Sequence, residues 1–296
     1  MNIHKTIDRL SVKMGNLYGE NLRFFRDGIE SEPLREITRK LEIDFVPPTT
    51  EGEYHYSVSY KSWKGTARCT LLNWAGKNKP CLIFHHGSGE TNYSDRIMKI
   101  LSKPICSQIN LIAVSIPCNR TMKKYLNGIA KLERFCALLG SSVRVFESIN
   151  NWLLNMNTGK VVASGISLGG WVTTLHFSLY NSMDEYRPIF AGAALDHLFT
   201  DSVYGSLCSA AARENPSILN EVLNFEGDFN ARDAGSVFPL LSRYDQYIDF
   251  DRQKKIYSEK NLNIIEKGHV TGSMDMKALR EHLLDGLGML YKTRSR

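Results

Sequence analysis

The chain has 296 residues, of which 43% are hydrophobic and 23% are charged, close to the average for globular proteins. No segment approaches the run of about 20 apolar residues that crosses a bilayer, so we predict no stable membrane insertion. The net charge of +6 is spread along the chain without a dense basic stripe, which argues against a nucleic-acid partner. It leaves adhesion to an anionic surface open.

The cysteines are widely separated and include no C-x-x-C pair. The first 20 residues lack the apolar core of a secretory signal. Both features predict reduced thiols and a cytoplasmic location. The six cysteines are Cys69, Cys81, Cys106, Cys118, Cys136 and Cys208.

From residue 54 onwards, short apolar runs alternate with helical patterns. This alternation predicts an α/β fold, with a mainly parallel central sheet of about eight strands and helices on both faces. The first two runs alternate polar and apolar residues and predict an antiparallel lead-in, whereas the later runs are continuously apolar, as in strands covered on both faces. The predicted strands are 54–60, 66–74, 80–85, 111–116, 161–164, 190–195, 236–241 and 262–265.

Apolar residues at helical spacing predict three longer helices. The first spans 122–139 and is predicted to end at Gly140, the second spans 145–156, and the last spans 276–290.

Two regions depart from simple alternation. Residues 1–53 are polar with helical patterns and predict an N-terminal helical extension packed on the sheet. Residues 197–235 form an insertion between two predicted strands, with two helical patterns broken at Asn215-Pro216. Such an insertion is either a lid over a pocket or an ordinary surface excursion, and the sequence leaves both interpretations open.

The strongest chemical signal is Gly165-x-Ser167-x-Gly169. An apolar strand leads into it and a helical pattern comes directly after it, which is the setting of a nucleophile elbow. In so tight a turn, a side chain at either glycine position would collide with the neighbouring strand or helix. A structural turn serine is the alternative interpretation.

The second signal is the sequence His-His-Gly-Ser-Gly-Glu at 85–90, directly after a predicted strand. Its backbone can turn N–H groups towards a developing oxyanion, so we predict an oxyanion hole from the N–H groups of Ser88 and Leu168. A phosphate-binding loop is disfavoured because Asn92 occupies the last glycine position of G-x-G-x-x-G. A metal site at the two histidines lacks accompanying ligands.

With these two motifs, and with an acid and a histidine in that order further along the sequence, the chain resembles the α/β-hydrolase superfamily over about residues 54–293. The resemblance implies an α/β-hydrolase domain over 54–296 with 197–235 inserted, and a triad in the chain order Ser, acid, His. It assigns the acid to Asp245, although Ser242 replaces the usual glycine nearby, and the base to His269 in a Gly-His loop. The fallback acids, each of which could instead be a solvated or helix-capping carboxylate, are Asp249, Asp251 and Asp196.

The sequence therefore predicts a serine hydrolase that cleaves a carboxylic ester or related acyl bond of a small-molecule substrate, without a cofactor or metal. In this hypothesis Ser167 attacks the carbonyl, His269 moves the proton, and Asp245 orients the imidazole. The alternatives are a non-catalytic ligand-binding or interaction protein on the same fold, and an amide, peptide or thioester hydrolase. The oligomeric state is not predicted.

Overall fold

A nine-stranded sheet organises the computed structural model, which describes residues 2–17, 19, 23–257 and 259–290. Residues 1, 18 and 20–22 of the predicted extension, and 258 and 291–296 of the predicted hydrolase domain, lie outside that description. The strands are β1 (Glu42–Asp44), β2 (Gly52–Tyr60), β3 (Trp63–Asn73), β4 (Cys81–His85), β5 (Asn110–Ser115), β6 (Val161–Ile166), β7 (Glu185–Ile189), β8 (Leu240–Ser242) and β9 (Asn263–Ile265).

The strand order is β1-β2-β3-β5-β4-β6-β7-β8-β9. The first three strands pair antiparallel with one another, and β3 also pairs antiparallel with β5. All pairs from β5 to β9 are parallel. The mainly parallel sheet and its antiparallel lead-in are thus confirmed, and the carboxyl ends of the parallel strands share one edge.

Helices cover both faces of this sheet, as the complete burial of β4, β5 and β6 requires. The helices are α1 (Ile3–Leu17), α2 (Leu34–Lys40), α3 (Tyr93–Leu101), α4 (Lys103–Cys106), α5 (Met122–Gly128), α6 (Leu132–Asn155), α7 (Leu168–Leu179), α8 (Asp196–Thr200), α9 (Ala210–Glu214), α10 (Pro216–Leu223), α11 (Glu226–Asn230), α12 (Phe250–Ile256), α13 (His269–Ser273) and α14 (Met276–Gly286). Helix α2 packs on α6, α6 on α7, and α3 on α14.

The strand predicted at 190–195 is wrong, because β7 lies just before it. Charged residues conceal β7 in the sequence: Glu185 and Arg187 are buried and form an ion pair. The Arg187 guanidinium also lies 2.7 Å from Asp285. Buried charges that are paired in this way are compatible with a covered strand. The apolar run 190–195 forms instead a buried loop after β7.

The single helix predicted over 122–139 is two helices, α5 and α6, and Gly140 does not end a helix. Helix α6 runs for 24 residues through Gly140 and includes most of the second predicted helix. A Cβ atom at position 140 would lie 2.7 Å from both Leu41 Cδ1 and Thr38 Oγ1. The glycine therefore allows a close approach to the α2 region, which outweighs its cost within a helix.

Three smaller predictions concern the N-terminal extension, the last helix and the inserted segment. Within the predicted helical extension, β1 is a short strand at the sheet edge, paired with β2. The final helix ends at Gly286, earlier than residue 290. The predicted break at Asn215-Pro216 is confirmed, since Pro216 begins α10, a position where its missing N–H is not needed.

All six cysteines are free thiols, and five of them are buried. Within the described ranges, no helix is both long enough and apolar enough to cross a membrane. The cellular compartment stays a prediction.

Candidate active site

Ser167 lies in the turn between β6 and α7, at the carboxyl edge of the sheet. Its backbone has φ 54° and ψ −110°, a strained conformation for a residue with a side chain. A Cβ atom at Gly165 would lie 2.4 Å from the Gly169 carbonyl carbon, and one at Gly169 would lie 2.3 Å from the His85 oxygen. Both glycines are therefore required for strand, turn and helix to pack this closely.

The structure brings Ser167, His269 and Asp245 together from three loops. His269 begins α13, and its Nε2 lies 2.9 Å from Ser167 Oγ. Its Nδ1 lies 2.7 Å from Asp245 Oδ2. The other oxygen of Asp245 accepts hydrogen bonds from the backbone N–H groups of Tyr247 at 2.8 Å and Ile248 at 2.9 Å. Since both carboxylate oxygens are occupied, the orientation of the acid is fixed.

The electrostatics favour an imidazole that accepts a proton readily. Burial lowers the pKa of His269, but the charge of Asp245, its hydrogen bond and the charge of Asp8 outweigh burial and raise the pKa above its ordinary value. The ring stacks on Tyr247 at a centroid distance of 4.5 Å. Charge and stacking together hold the ring with Nε2 towards the serine.

The fallback acids make other contacts. Asp196 accepts hydrogen bonds from Asn220 at 2.7 Å and Asn224 at 3.0 Å, which connects α8 to α10 and the residue after it. Asp249 is exposed and caps α12 by accepting from the Arg252 N–H at 2.7 Å. Asp251 is also exposed, in the first turn of α12. The capping interpretation therefore describes Asp249.

The loop at 86–90 comes directly after β4 and borders the same cavity as Ser167, with Gly87 and Ser88 in the cavity lining. The buried His86 ring donates from Nδ1 to the Gly87 carbonyl at 2.5 Å and accepts from Asn119 Nδ2 at 3.3 Å. Burial lowers the pKa of His86 to about 4, so this histidine is neutral at pH 7 and acts as a brace of the loop. Leu168 begins α7, where the first backbone N–H groups of a helix have no partner within it.

A cavity of about 590 Å³ opens in front of Ser167, a volume typical of small-molecule sites. Leu198, Phe199 and Leu207 of the inserted segment line it, whereas Leu219 is buried elsewhere in α10. The other apolar lining residues include Val12, Phe24, Phe135, Ile166, Leu168, Trp171 and Leu195.

Sequence reasoning missed Asp8, a fully buried carboxylate on α1. Its Oδ2 accepts hydrogen bonds from the His269 N–H at 2.8 Å and the Gln246 N–H at 3.1 Å. Its Oδ1 accepts from the Val270 N–H at 3.0 Å. One carboxylate thus joins the loop of the predicted acid to the loop of the predicted base.

Asp8 left only a weak signal in the sequence. It is the only acidic residue of α1, but its partners lie more than 200 positions away along the chain. Burial raises the pKa of Asp8, although three backbone hydrogen bonds oppose this and the charge of Asp245 adds to it. No local pattern reveals such a contact.

No family model and no curated protein sequence matches the chain. Solved structures do resemble it. Est1E from Butyrivibrio proteoclasticus has a TM-score of 0.52 at 12% identity, over 80% of this chain and 99% of that one. The Pyrococcus furiosus esterase Pf2001 has a TM-score of 0.51 at 11% identity, over 82% and 94%. The Pyrococcus horikoshii acylaminoacyl peptidase has a TM-score of 0.52 at 12% identity, over 80% and 41%, so this chain matches less than half of that protein.

These neighbours are α/β-hydrolases, and the likeness covers nearly their whole length in the two esterases. The chain therefore has the α/β-hydrolase fold. Identities of 11–12% establish the fold alone, and the activity has to be argued from this chain's own residues.

Proposed function

We propose that this protein is a serine hydrolase that cleaves a carboxylic ester or related acyl bond through a Ser167-His269-Asp245 triad. The observation that carries the proposal is the continuous chain of hydrogen bonds from Ser167 Oγ through the imidazole to Asp245, at 2.9 and 2.7 Å. This series of hydrogen bonds begins at a serine that lies in a strained turn and faces a cavity of small-molecule size. A structural turn serine requires none of these features.

In the proposed reaction, Ser167 Oγ attacks the substrate carbonyl carbon while its proton passes to His269 Nε2. The backbone N–H groups of Leu168 and Ser88 stabilise the tetrahedral oxyanion. The bond to the leaving group then breaks, and the imidazolium protonates the departing oxygen. Water, deprotonated by His269, releases the acid product from the acyl-enzyme and restores the serine. Asp245 accepts the Nδ1 hydrogen bond and stabilises the imidazolium.

Asp8 serves this reaction as a positioning residue. It contacts no reacting atom, but it holds the backbone of His269 and of the residue after Asp245. Its negative charge also raises the pKa of the imidazole. We therefore include Asp8 in the machinery of the site, together with the predicted domain 54–296.

The cavity indicates an apolar acyl or alcohol group in the substrate, because most of its lining side chains are aliphatic or aromatic. We propose that segment 197–235 acts as the lid of this cavity and selects substrates by size. Leu198, Phe199 and Leu207 of this segment line the cavity, and none of them belongs to the triad.

The test is a series of p-nitrophenyl esters of increasing acyl length, with matched thioesters and anilides, assayed on wild type and Ser167→Ala. We expect ester turnover that the variant lacks, by a factor of roughly 10⁴ to 10⁶ in kcat, while circular dichroism and urea unfolding stay close to wild type. A folded Ser167→Ala protein that keeps more than about a tenth of the activity contradicts the mechanism. Faster turnover of anilides than of esters assigns the chain to amide chemistry, and no turnover of any substrate favours the non-catalytic alternative.

A further inference from the structure

Helix α1 presents its apolar face to solvent. Its inward side carries Asp8 and Val12, which are buried. On the opposite side, side chains at helical spacing form one exposed row, which we call the α1 stripe. The α1 stripe consists of Ile3 (67% exposed), Leu10 (52%), Met14 (61%) and Leu17 (85%). This arrangement reverses the usual one, in which the apolar face of a surface helix packs on the core.

The apolar exposure is concentrated around this helix. Nine large apolar side chains of the described residues are exposed, and four of them form the α1 stripe. Two more, Met122 and Met274, line the cavity in front of Ser167 while remaining 50% and 69% exposed. A contiguous exposed apolar patch commonly marks an interaction site. The exposed apolar side chains around α1 therefore indicate a surface that binds a partner.

The charges of α1 indicate the chemistry of that partner. Lys5, Arg9 and Lys13 are exposed on the helix. The one acidic residue, Asp8, points inward and is fully buried. The exposed surface of α1 is therefore apolar and cationic without a compensating acid, a combination that suits anionic lipid headgroups above an acyl layer.

The same helix connects this surface to the cavity. Ser11, Val12 and Gly15 of α1 line the cavity. Helix α13, which begins with His269, packs against α1. The helix that carries the α1 stripe thus lines the cavity in front of Ser167 with its inward side.

We propose that α1 lies on anionic phospholipid surfaces and that the substrate of the site is an acyl ester of a lipid drawn from such a surface. The docking is derived from the exposed face of α1 alone. The substrate class rests in addition on the proposed hydrolase function.

The first experiment measures co-sedimentation of the full chain, carrying Ser167→Ala so that no lipid is consumed, with phosphatidylcholine vesicles with and without phosphatidylglycerol. We expect binding to the anionic vesicles that weakens with salt. The double variant Leu10→Ser, Met14→Ser should reduce binding to the anionic vesicles by more than about tenfold, because two apolar side chains that would be buried in the lipid are removed. Lys5→Ala with Lys13→Ala should have a similar effect. The matched control, Val46→Ser with Leu154→Ser, removes two equally exposed apolar side chains elsewhere and should bind as the parent does.

Binding that is absent, equal on neutral vesicles, or unchanged in the α1 variants overturns the docking. A concentration-dependent dimer that the α1 stripe variants lose in sedimentation velocity overturns it in favour of a second copy of the chain.

The second experiment monitors fatty-acid release from phosphatidylglycerol vesicles by the enzyme with Ser167 intact. The α1 stripe variants should lose release at least about tenfold but hydrolyse soluble p-nitrophenyl esters normally. If the enzyme binds vesicles and hydrolyses soluble esters but releases no fatty acid, the substrate class alone is overturned. If the protein binds vesicles but is inactive on every ester, the proposed function is contradicted and the docking is unaffected.

Discussion

Asp8→Asn tests whether Asp8 positions the catalytic residues. The substitution keeps the shape of the side chain but leaves one acceptor oxygen where the carboxylate has two, which together accept three backbone hydrogen bonds. The amide NH₂ group then faces a backbone N–H donor. A hydrogen bond to a charged group contributes about 1.5–3 kcal/mol. Burial raises the pKa of Asp8, so the neutral amide avoids part of a desolvation cost, and we expect a net destabilisation of about 1–2 kcal/mol.

The effect on catalysis should be larger than this loss suggests. Displacement of the His269 backbone by a fraction of an ångström misaligns Nε2 with Ser167, and we expect kcat to fall by roughly 10- to 100-fold. The charge of Asp8 raises the pKa of His269. Its removal therefore lowers that pKa, and the acid limb of the kcat/KM profile should move to lower pH.

The assay is kcat/KM for a soluble p-nitrophenyl ester as a function of pH, with urea unfolding as the measure of stability. Ser11→Ala is the matched control, because it removes a neutral contact of α1 with the Tyr247 hydroxyl and should leave the acid limb in place. The positioning role is refuted if folded Asp8→Asn protein keeps kcat within about twofold and has an unchanged acid limb.

Further substitutions test the acid, the lid and the elbow. Asp245→Asn should lower kcat by on the order of 10⁴ because it favours the wrong imidazole tautomer. Asp249→Asn should lower kcat by less than about tenfold, since asparagine also caps a helix. A larger loss of kcat in Asp249→Asn than in Asp245→Asn contradicts the choice of acid. Leu207→Ala enlarges the cavity and should raise kcat/KM for long acyl chains relative to short ones, and an equal change for all esters contradicts the lid. Gly169→Ala places a Cβ 2.3 Å from the His85 backbone oxygen and should cost more than about 3 kcal/mol in urea unfolding. Gly227→Ala, with no atom within 4 Å of its Cβ, should change stability by about 1 kcal/mol or less, and equal effects of the two glycine changes contradict a steric requirement at Gly169.

The elbow was predictable because its determinants are local. Strand, turn glycines and helix lie within a few positions of Ser167, and the steric need for Gly165 and Gly169 is a consequence of covalent geometry. The positions of Asp245 and His269 came from chain order within a family that the chain resembles. The structure places both side chains within hydrogen-bonding reach of each other, while their catalytic roles stay predictions.

The features that escaped prediction depend on long-range contacts. Strand β7 is buried although it contains Glu185 and Arg187, and only the ion pairs with each other and with Asp285 explain this. Gly140 resembles a helix end until the close approach of Leu41 is known. Asp8 is a charged residue on an N-terminal helix in the sequence and a buried link between two loops in the structure.

The most direct test of the proposed nucleophile is active-site labelling with a fluorophosphonate and subsequent peptide mass spectrometry. We predict that Ser167 Oγ displaces fluoride from phosphorus in the native protein, with its proton taken up by His269. The label should therefore reside on the peptide that contains Ser167, and labelling should be slowed by Asp245→Asn and should vanish in urea. A native protein that stays unlabelled, or one labelled equally after Ser167→Ala, contradicts the claim that this serine is an activated nucleophile.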